Sequence, residues 1–95
     1  MLGSRDKMPY IPKKNRAEFD AHVDALAEIL AANLEPGELN YCISRLIWKL
    51  FGNKPSYTLG NSLIGALDCV KLEFYRRMLA PYEDAKIAQN GDLDI

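Results

Sequence analysis

The chain has 95 residues and a mass of 10.7 kDa, room for one domain, because a core this small buries only about 60% of the surface of the unfolded chain. With 48% apolar and 26% charged residues it is too apolar for intrinsic disorder, and no apolar run approaches the roughly 18 residues that cross a bilayer. Twelve Lys and Arg against thirteen Asp and Glu leave a net charge of −1, which excludes a generic nucleic-acid binder coated in positive charge.

In chain order, residues 1–7 (MLGSRDK) lack the apolar stretch of a secretory signal. They are expected to be a disordered leader or a cloning scar, with residues 8–95 as a single helical domain. Pro9 and Pro12 then remove two amide donors and favour an extended arm. Phe19, Val23, Leu26 and Leu30 recur at helical spacing. They predict a first helix that Asn15 and Glu18 open as a capping box and that ends near Asn33.

Pro36 and Glu38 suit the first turn of a second helix running to about Phe51, with Leu39, Cys42, Ile43, Leu46, Ile47 and Leu50 as its apolar positions. Gly52 to Ser56 is a cluster of turn formers. A third helix starts within 58–61 and buries Leu63, Leu67, Val70, Phe74 and Met78. Pro81 interrupts it and opens a short, kinked fourth helix that Asn90 and Gly91 close.

The fold class that follows is all-α: an antiparallel helical hairpin packed with an N-terminal helix, plus the short C-terminal helix. Cys42 and Cys69 are too few for a disulfide framework and lack metal-ligand spacing. They are expected to be reduced, buried core thiols of a cytoplasmic protein.

Counting outward from the hairpin turn places Tyr41 level with Val70 or Lys71, so the polar end of the third helix falls near the start of the second. There Glu73, Tyr75, Arg76 and Arg77 lie within five residues, and Glu73 can pair with Arg76 at i,i+3 or Arg77 at i,i+4. Such a group is a solvated, salt-bridged face or, with Arg45, a fork of donors for a phosphate or carboxylate.

The segments Met8-Pro9-Tyr10-Ile11, Gly37-Glu38-Leu39-Asn40-Tyr41, Glu73-Phe74-Tyr75-Arg76-Arg77, Pro81-Tyr82-Glu83-Asp84 and Asn90-Gly91-Asp92 resemble, as a set, a family of small bacterial and phage helical proteins of uncharacterised function. The resemblance covers nearly everything after residue 7. It implies that arm, hairpin and tail form one unit, and it carries no activity with it.

Catalytic machinery is not evident. His22 is the only histidine and stands on the acidic first helix, and no phosphate-cradling glycine loop occurs. No cofactor and no metal are expected.

The expected function is therefore a non-enzymatic binding protein. It would be a homo-oligomer that binds or sequesters a small anionic ligand of nucleotide type, with Tyr41, Arg45, Glu73, Tyr75, Arg76 and Arg77 as ligand-binding residues. In a phage, that ligand would be a nucleotide immune signal. The alternatives are a metal-dependent all-α nucleotide hydrolase built on Glu73, Glu83 and Asp84, and a protein-binding inhibitor or adaptor using the acidic first helix.

The net charge hides a cancellation. Residues 17–38 hold six acids and no Lys or Arg, whereas residues 45–77 hold six bases and two acids. An acidic helix thus precedes a basic hairpin, a layout suited to head-to-tail assembly or to focusing an anion on one side.

Overall fold

A computed structural model describes residues 10–94; the leader expected over residues 1–7 lies outside them. The arm enters through a 3-10 turn, Lys13–Asn15, in which the Asn15 amide donates to the Pro12 carbonyl at 2.9 Å. Arg16 Nε donates to the Ile11 carbonyl at 2.9 Å and ties the arm to the helix that follows.

Helix α1 spans Ala17–Ala32 and gives way at Asn33, as the spacing predicts. The capping box of Asn15 and Glu18 does not form. Arg16 holds the cap position with helical backbone angles (φ −90°, ψ −22°) and no side-chain cap. A side-chain cap needs an extended residue at that position, and the 3-10 turn delivers the chain already coiled. The Phe19 and Asp20 amides are satisfied instead by the Arg16 carbonyl, at 3.0 and 2.8 Å.

Helix α2 spans Pro36–Asn53 with Glu38 in its first turn, where a carboxylate meets the positive end of the helix dipole. Helix α3 spans Tyr57–Phe74. It begins at Ser56, whose backbone is extended (φ −159°, ψ 157°) and whose Oγ accepts from the Leu59 amide at 3.0 Å. That is an N-cap which the cluster of turn formers had concealed.

The interruption expected at Pro81 takes the form of one π-helical turn, Tyr75–Leu79, that joins α3 to helix α4, Ala80–Asn90. Pro81 has no amide to give to the carbonyl four residues back, and its ring would crowd that carbonyl. The wider turn, in which the Ala80 amide donates to the Tyr75 carbonyl, carries the chain past it without a break. At the far end Gly91 adopts φ 92° and ψ 148°, a region that side-chain-bearing residues avoid, and its amide donates to the Ile87 carbonyl at 2.7 Å.

Three helices repeat one apolar pattern. Phe19-Val23-Leu26-Leu30, Leu39-Ile43-Leu46-Leu50 and Leu63-Leu67-Val70-Phe74 each advance by four, three and four residues, the spacing of a coiled-coil seam two heptads long. These seams were expected to be a buried core, and the structure corrects that: among the described residues none is buried. Val23 is 61% exposed, Leu46 57% and Val70 65%.

Cys42 is half-buried and Cys69 exposed, both as free thiols, so neither is a core residue. Met78, expected in the buried stripe of α3, lies in the π turn and is exposed.

Contacts between elements are correspondingly local. Within the second of the two units into which the chain divides, Met1–Arg45 and Leu46–Ile95, the Phe51 ring closes on Gly60 across the turn. A Cβ added there would stand 3.5 Å from Phe51 Cε1.

No described helix is long and apolar enough to cross a membrane.

Replacing the cap of α3, Ser56→Ala, is expected to cost about 1 kcal/mol, read as a lower urea midpoint at fixed protein concentration with an unchanged m-value.

Candidate functional site

The six residues singled out from the sequence fall into two groups. Tyr41 and Arg45 are four residues apart on α2, hence on one side of it, and both are exposed; they belong to the unit that ends at Arg45. Glu73, Tyr75, Arg76 and Arg77 belong to the other unit, and the structure brings these four together at the junction of α3 and the π turn.

Glu73 is the hub of that group. Its Oε1 accepts a hydrogen bond from Arg76 Nη2 and lies 3.8 Å from Arg77 Nε, realising both pairings that the i,i+3 and i,i+4 spacings allow. The guanidinium side chains are 71% and 56% exposed and Glu73 32%. Ion pairs this open contribute little to stability, at most about 1 kcal/mol. They orient instead: two guanidiniums turn to one carboxylate and are held side by side in a surface that water and ligands reach. A planar guanidinium is also the donor best matched to the paired oxygens of phosphate or carboxylate.

Tyr75 faces the other way. Its hydroxyl donates to Glu83 Oε1 at 2.8 Å, across eight residues. In an uninterrupted α-helix the eighth residue is turned about 80° from the first. The extra residue taken up by the π turn rotates Glu83 back beneath Tyr75. Donation to Glu83, with the negative charge of that carboxylate and a smaller contribution from Asp84, raises the Tyr75 pKa above the ordinary tyrosine value of 10.0.

Glu83 was expected only as an acid of the hydrolase alternative, and its pairing with Tyr75 could not be read from regular periodicity. Two other features were accessible from spacing. Lys86 lies four residues after Tyr82, and its Nζ stands 5.6 Å from the centre of the Tyr82 ring, within cation–π range. Beside them Tyr82, Glu83, Lys86, Ile87 and the Gly91 bend line a shallow groove of about 430 Å³.

Among the described residues no three His, Cys, Asp or Glu side chains gather as a metal site. Glu73 is engaged with arginine and Glu83 with tyrosine, so two of the three carboxylates named for a hydrolase are turned to partners of their own. The arrangement can present the paired guanidiniums of Arg76 and Arg77 to an anion.

Because its pKa is raised, neutral Tyr75 contributes stability in full below pH 10, and that contribution is lost as the pH rises through the raised value. Glu83→Gln is expected to bring the Tyr75 pKa back down toward the ordinary value, measured by alkaline titration of the tyrosine carbon resonances.

Comparison with known proteins gives one match. No curated protein and no solved structure matches the chain. The family profile described as a domain of unknown function, DUF6899, matches residues 8–93, running through both units and excluding the residues read from the sequence as a leader. The chain belongs to the DUF6899 family.

Proposed function

We propose that this protein is a non-enzymatic, cytoplasmic binding protein that works as a homo-oligomer and captures a small anionic ligand of nucleotide type. The observation that carries the reading is the convergence of Arg76 and Arg77 on Glu73. Side-by-side guanidiniums suit a phosphate, and an exposed tyrosine ring, such as that of Tyr82 at 60%, offers a base a stacking face.

Glu73 serves as a placeholder. It keeps the two arginines parallel until a phosphate, carrying more charge and more acceptor oxygens, displaces it. Tyr41 and Arg45, also an aromatic beside a guanidinium, are the complementary elements that another subunit can supply to the same ligand. Exposed apolar seams on three helices support the homo-oligomer. In the bacterial and phage setting that the sequence motifs suggest, the fitting ligand is a nucleotide immune signal, and a protein sequestering it acts in phage counter-defence.

A thermal-shift screen against nucleoside phosphates and cyclic dinucleotides tests the reading. A bound ligand is expected to raise the melting temperature in proportion to the logarithm of its concentration, and Arg76→Ala and Arg77→Ala are each expected to remove most of the shift. Glu73→Gln, which removes the competing carboxylate charge, is expected to enlarge it. Equal shifts in the wild type and both arginine variants overturn the arginine assignment, and conversion of a nucleoside triphosphate with Mg²⁺ overturns the non-enzymatic assignment.

A further inference from the structure

The chain holds six asparagines, and of these Asn90 alone is followed by a glycine. That pair sits where α4 ends. Asn90 is the last helical residue and is exposed. Gly91 turns the chain away at φ 92°, with nothing within 4 Å of the place a Cβ would occupy.

We propose that Asn90 is a site of self-modification by water, at which the carboxamide becomes a carboxylate, and that the hydrogen bond from the Gly91 amide to the Ile87 carbonyl gates the reaction.

The chemistry is intrinsic to the pair. The Gly91 backbone nitrogen attacks Cγ of Asn90 and gives up its proton to water. As the N–Cγ bond forms, the bond from Cγ to the side-chain nitrogen breaks and ammonia leaves, closing a succinimide ring. Water then opens the ring. Addition at Cγ cleaves the new N–Cγ bond and leaves an aspartate. Addition at the main-chain carbonyl cleaves the original peptide bond and leaves an isoaspartate, with the main chain rerouted through Cγ. Water enters, ammonia departs, and nothing is oxidised or reduced.

A side chain on the next residue crowds the attacking nitrogen. At the other asparagines Arg16, Leu34, Tyr41, Lys54 and Ser62 follow, each with a Cβ beside that nitrogen, whereas Gly91 leaves it open.

The folded chain holds the reaction back. The Gly91 amide donates to the Ile87 carbonyl at 2.7 Å, so its proton is engaged, and the helical backbone of Asn90 keeps the nitrogen turned away from Cγ. Both restraints are released when the last turn of α4 opens, and helix ends open locally at low free energy. With opening and closing faster than the chemistry, the rate follows the population of the opened end.

The product undoes the stop that had protected it. A carboxylate at position 90 adds negative charge where the α4 dipole is already negative, two residues before Asp92. Isoaspartate also lengthens the main chain by a methylene, so the Gly91 amide loses the spacing that meets the Ile87 carbonyl. Each converted chain carries a frayed end of α4, and conversion records how much of the time that end has been open.

Timed incubation of the full chain at mildly alkaline pH in heavy-oxygen water, followed by peptide mass spectrometry, tests the site and the gate together. Position 90 is expected to take up label before any other asparagine. In urea, where the helix is gone, it is expected to convert roughly tenfold faster or more. Ala88→Gly weakens the last turn without touching Asn90 or Gly91; it is expected to convert severalfold faster than the wild type in buffer and at the same rate in urea. Gly91→Ala is expected to convert severalfold more slowly in urea, where its effect on the fold plays no part. Faster conversion at another asparagine overturns the site, as does equal conversion of the wild type and Gly91→Ala in urea. Equal rates in buffer and urea, or equal rates for the wild type and Ala88→Gly in buffer, overturn the gate.

Discussion

An isolated helix of sixteen or eighteen residues is marginal in water, and what holds such helices in proteins is burial of the apolar face. Every other feature of this chain depends on that constraint. The local devices are real: the Arg16 bond to the Ile11 carbonyl, the Ser56 cap and the Gly91 stop. Each is of a kind worth about 1 kcal/mol or less. Covering even 1,000 Å² of apolar seam would return on the order of 25 kcal/mol before the costs of ordering and association. The capping contacts therefore decide where helices begin and end, and coverage of the seams decides how firmly they persist.

Much of this was legible in the sequence, for an identifiable reason. Helix existence follows from apolar periodicity, which is local, and Phe19 to Leu30, Leu39 to Leu50 and Leu63 to Phe74 all emerge as helices. The breaks around Asn33 and Gly91 follow from residue chemistry that is equally local.

What escaped depends on backbone conformation that composition does not encode. Asn15 is a good capping residue by type, but a 3-10 turn takes it out of the extended region where capping works. Ser56 looked like one more turn former and proved to be the cap. The burial assigned to the seams assumed that apolar periodicity implies an intrachain core, whereas periodicity records only that a face is to be covered.

The candidate site shows the same division. Pairing of Glu73 with Arg76 and Arg77 was readable because i,i+3 and i,i+4 neighbours meet on any helix. Pairing of Tyr75 with Glu83 was not, because it exists only through the π turn. One junction thus turns its basic side chains toward one carboxylate and its phenol toward another, and α4 supplies the second partner.

The π turn has a further consequence for how the C-terminal third of the chain is to be counted. By taking up one extra residue it shifts the angular phase of everything beyond it by about 100°. Helix α4 is therefore out of step with α3 although the two are joined end to end. A periodicity run straight through Pro81 would misplace Tyr82 and Ile87. The two segments are separate rulers laid end to end with an offset. Removing one residue between Tyr75 and Leu79 would bring them into step, making the length of that short stretch, more than its composition, the quantity that fixes which side of α4 looks outward.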